Sequence, residues 1–236
     1  MTHIHHVPGM HNLRDLGGFV THDGRTTRSN VFWRGDSPHR VTPSDLGYFA
    51  THQITTVIDL RHEHEQTVAP NPLATQSDIN YMAIPLFQVT HNTSNVITRL
   101  DDFYIHLLET SRAPIQQTFT QLADAPNGTF FHCRVGKDRT GIIAALLLDL
   151  VEVPHAHIIA DYVATADHIT PLLPELRRDR PAHIDEATYE QIIGIQSDTM
   201  GNVLTYIKKT YGSAVNYLTQ IGVPAAHLTQ ITHKFI

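Results

Sequence analysis

The chain has 236 residues, 41% hydrophobic and 17% charged, the composition of a folded protein rather than a disordered one. Its formal net charge of −6 gives no electrostatic reason for non-specific binding to nucleic acid or a membrane surface. One cysteine excludes an internal disulfide, and the longest apolar run, Gly141 to Leu148, is far too short to cross a bilayer.

The first ten residues, MTHIHHVPGM, lack the positive flank and apolar core of a secretory signal, so a cytoplasmic location is the default expectation, with export by a signal-free route left open. Residues 19–26 read as a hairpin, because Asp23-Gly24 suits the positive φ of a tight reversal; its partner strand should run to Val31-Phe32-Trp33. Thr42, Pro43 and Asp45 predict a helix start with a capping box, the helix ending near His52. The β-branched run 54–60 predicts a buried strand, and 79–85 a second one ended by Pro85. Residues 95–123 carry helical spacing at Leu100, Phe103, Leu107 and Leu108, with Pro114 and Pro126 as punctuation.

Thr129-Phe130-Phe131 predicts another buried strand, and Gly141 onward a helix apolar on nearly every side. Residues 155–236 read as helices separated by Pro or Gly, with 170–198 as the least regular part and a candidate lid. Strands alternating with helices predict an α/β fold: a central, largely parallel sheet flanked by helices, with a helical C-terminal extension, in one domain over 1–236.

Eighteen histidines, with pairs at 62/64 and 155/157, invite a metal. Neither pair has a second Cys/His cluster at ligand spacing, and residues two apart on a helix do not share a face, so no metal is expected.

The chemistry concentrates in 132-HCRVGKDRTG-141. A loop passing from a strand into a helix can turn its amides inward, forming an anion nest at the positive end of the helix dipole. Gly136 permits close backbone approach, and the Arg139 guanidinium can hold two oxygens of a phosphate at once. Cys133 in such a nest is favoured as the thiolate nucleophile. That gain is limited, since a free thiol of pKa ~8.5 is already a few per cent ionised at pH 7; stabilising the equatorial oxygens must supply more. Thr140 could donate to the sulfur, and His132 should organise the loop. An inert buried cysteine would leave three cations and an aspartate within six residues unexplained.

These residues resemble the phosphate-binding loop of cysteine-dependent protein tyrosine phosphatases, the atypical bacterial tyrosine/dual-specificity and phosphoinositide phosphatases above all. Residues 12–18, NLRDLGG, and 57–61, VIDLR, are similar to two further motifs of that family, and 200–218 to its C-terminal part. The resemblance implies a cysteinyl-phosphate intermediate on Cys133 and hydrolysis by water, with no metal or cofactor. It implies phosphate binding by Arg134, Val135, Gly136, Lys137, Asp138, Arg139 and Thr140.

The Trp-Pro-Asp loop of many relatives is absent, so the proton donor is sought elsewhere. Asp59, at the carboxyl end of a strand, comes first, Asp138 second and Asp36 a distant third. Arg134 and Lys137 suit a substrate bearing several phosphates. The expected partners are therefore phosphate or a phosphorylated protein or lipid, without nucleic acid or integral membrane association. Three rivals stand beside this reading. They are a non-catalytic phosphate-binding module, an adhesion role for the Arg34-Gly35-Asp36-Ser37 tetrapeptide, and thiol-based oxyanion chemistry such as arsenate reduction.

Overall fold

The computed structural model describes residues 3–87 and 99–236. Its sheet has six strands in the order β1-β2-β3-β6-β4-β5, with β1 His3–Ile4, β2 Arg14–Asp15, β3 Phe32–Gly35, β4 Ile54–Asp59, β5 Asn80–Ala83 and β6 Gly128–His132. The four strands β3, β6, β4 and β5 run parallel; β1 and β2 add an antiparallel edge. The expected α/β layer with a largely parallel sheet is what forms.

Period-two alternation explains why neighbouring residues of the inner strands face opposite sides. Phe32, Ile58 and Phe131 join the larger core, while Trp33, Val57 and Phe130 join the smaller one on the other face. Helices cover both faces, so the central strands read as continuous apolar runs. Helix α1 (Gly47–Thr51) contributes Phe49 to the smaller core. The larger core takes residues from α3 (Leu100–Thr110), α4 (Arg112–Asp124), α5 (Asp138–Leu150) and α6 (His155–Ile169). It is completed by α9 (Ser197–Tyr211), α10 (Ala214–Gln220) and α11 (Ala225–Phe235). Helix α5 is buried at ten of its thirteen positions, as expected for a helix apolar all round.

The register brings the carboxyl ends of three strands level: Gly35 and Asp59 both pair with His132, so Asp36, Leu60 and Cys133 leave the sheet side by side. That edge is where parallel α/β sheets gather their ligands.

Several local expectations need correction. The 19–26 segment forms its turn, with Gly24 at φ +84°, but only the bridge between Val20 and Thr26 joins its arms. A second reversal at Asn30 (φ +63°), whose amide donates to Asp15, redirects the chain before β3 pairs with β2 and β6. Helix α1 begins at Gly47 rather than Pro43, because the Thr42 hydroxyl occupies the Asp45 carboxylate at 2.5 Å. The amides of Tyr48 and Phe49 then reach back only three residues, giving tight turns. The helical segment divides at Ser111, while Pro114 sits in the first turn of α4, where a missing N–H is harmless. Residues 95–98 of that expectation lie outside the described residues. The candidate lid is mostly helical: a 3₁₀ turn over Thr170–Leu172, α7 (Leu173–Arg178) and α8 (Glu186–Ile193). Among the described residues, no helix is long and apolar enough to cross a membrane.

Leu147, fully buried on α5, tests the packing account. Leu147→Ala should cost roughly 2–5 kcal/mol of unfolding free energy in urea, by lost burial plus a residual cavity. Val68→Ala, at a position 66% exposed, should stay within about 0.5 kcal/mol.

Candidate active site

Helix α5 starts three residues earlier than expected, so Asp138, Arg139 and Thr140 form its first turn and Cys133–Lys137 is the loop. The loop's carbonyls are tied outward one after another. Ser37 N donates to Arg134 O at 3.0 Å, Asn12 Nδ2 to Val135 O at 2.8 Å, and Arg34 Nη2 to Gly136 O at 2.7 Å. Among the described residues, no protein acceptor takes the amides of Arg134 to Lys137. Peptide planes whose oxygens are held on one side present their N–H groups on the other, which makes the predicted nest. Gly136 is at φ +72°, and a Cβ there would lie 2.5 Å from the Gly35 carbonyl group, so this close approach requires glycine.

Behind the loop lies an ion triad. Asp161 of α6 meets Arg14 Nε at 2.7 Å and Arg34 Nη1 at 2.5 Å, with all three residues at most 2% exposed. Burial would raise the Asp161 pKa, but the two guanidiniums hold it below the usual carboxylate range. Burial and repulsion from Arg14 lower Arg34 to about 10, which leaves it charged at neutral pH. Two cations against one anion place a net positive charge beside the loop. Arg14 also fixes Asn12, donating to its side-chain oxygen at 2.5 Å.

This geometry removes the adhesion reading. Arg34 and Asp36 are 1% and 2% exposed, and the Asp36 carboxylate accepts the amides of His11 and Asn12. No partner's surface can reach the tetrapeptide. The same burial raises the Asp36 pKa, yet both its oxygens already hold the segment that carries Asn12.

Arg139 makes a forked pair with Glu65, at 2.5 and 2.8 Å. Glu65 belongs to α2 (Glu63–Val68), and it also closes that helix's capping box with His62. Burial works against the Arg139 charge, but Glu65 and Cys133 outweigh it and keep the guanidinium protonated. The reading of 62-HEHE-65 as histidine pairs overlooked this clamp. No local signal marked it, since its partner lies 74 residues away. Among the described residues, no cluster of three or more potential metal ligands forms. The Thr140 hydroxyl is buried and has no protein partner among the described residues.

The two leading acid candidates occupy different settings. Asp59 is fully buried and receives Arg61 through Nε and Nη2, the closest contact being 2.6 Å, and also the Tyr81 hydroxyl at 2.8 Å. Burial pushes its pKa up, but the adjacent His132 ring and the hydrogen bonds and charge of Arg61 bring it below the usual value. Asp138 reaches the wall of a cavity of about 560 Å³ and has a side chain 26% exposed. Its Oδ1 accepts the Tyr104 hydroxyl at 2.6 Å and lies 3.3 Å from Lys137 Nζ. His132 is a fully buried organiser: Asn71 Nδ2 donates to Nε2, leaving the hydrogen on Nδ1, turned to the Cys133 carbonyl. Burial lowers its pKa and keeps the ring neutral.

Arg134 and Lys137, expected at the substrate, are engaged by the 170–198 segment. Arg134 pairs with Glu175 and Asp179, and Lys137 donates to the carbonyls of Ile192, at 2.5 Å, and Gly194. Val135 packs between them against Ile169, Leu172, Leu176, Tyr189 and Ile193. The loop is thus docked under α7 and α8, and Cys133 is 1% exposed.

A family model described as "Tyrosine phosphatase family" matches residues 5–236. A tyrosine-protein phosphatase of Nostoc commune is 31% identical, aligned over 86% of this chain and 73% of its own. The triple specificity protein phosphatase PtpB of Mycobacterium tuberculosis is 25% identical, over 97% of each chain. Among solved structures, P. aeruginosa TpbA aligns with 17% identity over 75% of this chain and 86% of its own, with a TM-score of 0.30.

Asp59 and Asp161 both have depressed pKa values in the folded protein. Their stabilisation is complete above the unfolded-state value of about 3.9 and is lost as pH falls through the lower folded values. Urea unfolding across pH should therefore show a free energy insensitive to these groups above about pH 5 and declining steeply below pH 4.

Proposed function

The chain belongs to the tyrosine phosphatase family and hydrolyses phosphotyrosine, and we propose that Cys133 is its nucleophile, Arg139 its phosphate clamp and Asp138 its proton donor. The observation that supports this assignment most is the outward anchoring of the Arg134, Val135 and Gly136 carbonyls, which leaves the loop's amides free for a bound phosphate. In the first step Cys133 Sγ attacks phosphorus in line with the departing phenol, and Asp138 gives that oxygen its proton. In the second, water attacks the cysteinyl-phosphate, Asp138 recovers a proton, and phosphate leaves. The amides and Arg139 hold the three equatorial oxygens throughout, where the developing charge needs preorganised donors. Thr140, with its unpartnered hydroxyl, is suited to donate to the sulfur as it departs. Displacement at phosphorus by a thiolate requires no cofactor.

Asp138 is preferred over Asp59 because its side chain is 26% exposed, in the turn that follows the loop, whereas every cycle of Asp59 protonation would disrupt a forked arginine pair. Residues 1–236 are read as one phosphatase domain, supported by a core that runs from Leu16 to Phe235. The net charge of −6 gives no electrostatic reason to expect nucleic acid as a partner, and a cytoplasmic location with phosphorylated protein or lipid substrates is part of the same proposal.

The 170–198 segment, which holds Arg134, Val135 and Lys137 of the loop, is the proposed moving part on substrate entry. The Arg134 pairs with Glu175 and Asp179 are about one-third exposed on both sides, so their release costs at most about 1 kcal/mol. Once released, Arg134 can meet a second phosphate, which extends the proposed range to phosphoinositides.

Cys133→Ser should abolish aryl phosphate hydrolysis; residual turnover equal to wild type would remove the covalent mechanism. Asp138→Asn should lower kcat by about 10²–10⁴ with a poor leaving group and far less with a good one. Asp59→Asn should lose stability but keep the wild-type leaving-group dependence. Asp179→Asn combined with Glu175→Gln should raise kcat/KM on phosphoinositide vesicles relative to phosphotyrosine peptide by roughly threefold, through the freed charge. An unchanged ratio would mean that Arg134 does not read the substrate.

A further inference from the structure

Helix α3 supplies a group that the loop sequence alone does not reveal. Tyr104 is fully buried, and its hydroxyl lies 2.6 Å from Asp138 Oδ1 and 3.0 Å from the Tyr162 hydroxyl of α6. A phenol carries one hydrogen. Since a carboxylate only accepts, Tyr104 donates to Asp138 and accepts from Tyr162. Burial, and then the neighbouring Asp138, push the Tyr104 pKa well above 10, so this donor stays protonated throughout the working pH range.

The bond is asymmetric. Oδ1 is held by Tyr104 and lies 3.3 Å from Lys137 Nζ, while Oδ2 enters no hydrogen bond among the described residues. A carboxyl free to turn about its Cβ–Cγ bond would offer either oxygen in many directions. Anchoring one oxygen from beneath fixes the other, and the residue stands on the cavity wall.

We propose that Tyr104 is a positioning residue for proton transfer: it pins Oδ1 of Asp138 so that Oδ2 is the oxygen presented to the leaving group. This rests on the reading of Asp138 as the acid. In the first step the S–P bond forms, the bond from phosphorus to the leaving oxygen breaks, and the proton on Oδ2 passes to that oxygen. In the second step water attacks phosphorus and its proton passes to Oδ2. The S–P bond breaks to return the thiolate, and Oδ2 is again protonated.

Phenylalanine at 104 keeps the ring and its edge contact with Tyr162, at a centroid separation of 6.1 Å, and removes only the hydroxyl. Kinetics on phenyl phosphate, a poor leaving group, and 4-nitrophenyl phosphate, a good one, separate positioning from support. Tyr104→Phe should lower kcat roughly tenfold on phenyl phosphate and less than about threefold on 4-nitrophenyl phosphate, with KM unchanged. In an Asp138→Asn background the same change should add nothing. Tyr162→Phe, which leaves the bond from Tyr104 to Asp138 intact, should retain the wild-type ratio between the two esters, and urea midpoints report whether each variant folds.

Equal losses on both esters, a full loss persisting in the Asp138→Asn background, or the same effect from Tyr162→Phe would reduce Tyr104 to a packing residue. If Asp138→Asn alone leaves the leaving-group dependence intact, Asp138 is not the acid and the proposal falls with it.

Discussion

The site depends on which way a handful of peptide planes face. A loop of free amides is a poor anion site, because each peptide can rotate its N–H towards solvent. Here Ser37, Asn12 and Arg34 hold three successive carbonyls from outside, and that freedom is removed before any substrate arrives. The anchors come from the first 37 residues, the least recognisable part of the chain as chemistry. The 12-NLRDLGG-18 motif gains a physical meaning from this. Asn12 holds Val135, Arg14 holds Asn12, Gly17 and Asn30 hold the Asp15 carboxylate, and the chain is thereby fixed beside β3.

The Arg14–Asp161–Arg34 triad carries a cost that explains its dense hydrogen bonding, although Arg34 Nε stays buried without a partner among the described residues. Removing charges from water is expensive, and loss of one partner from a buried group typically costs about 3–5 kcal/mol. Arg14 meets Asp161 and its carbonyl, Asn12 and Thr165; Arg34 meets Asp161 and Gly136. What remains is a net positive charge beside the nest, which favours an anion there.

The sequence made legible what depends on short-range pattern. Buried strands appear as apolar runs at 54–59 and 128–132, and the loop appears as Cys133 to Arg139 because nucleophile, glycine and cations are contiguous. Long-range pairings were not legible. Glu65 is 74 residues from Arg139, and Tyr104 is 34 residues from Asp138; nothing local to either residue announces its partner. Arg134 and Lys137 were read as substrate contacts because a cation in a phosphate loop has an obvious use, yet acidic side chains and free helix carbonyls of the lid compete for the same charge. Arg34-Gly35-Asp36, a short match whose adhesion reading was only a rival, owes its place to β3, which carries it into the sheet and out of reach.

The contrast between Asp59 and Asp138 illustrates what separates a proposed acid from a brace. An acid must exist in both protonation states during each turnover, so its surroundings have to tolerate both at similar free energy. Asp59 meets Arg61 through side chain and backbone and Tyr81 besides, all of them donors that favour the carboxylate; protonating it would leave a guanidinium buried without its partner. Asp138 has donors at one oxygen only, while its other oxygen is without a protein partner at the wall of a cavity. One carboxylate is satisfied on both oxygens and immobile, the other on one oxygen and open. That half-satisfied state suits the role proposed for Asp138, and it follows from placing the residue in the first turn of α5, over the hydroxyl of Tyr104.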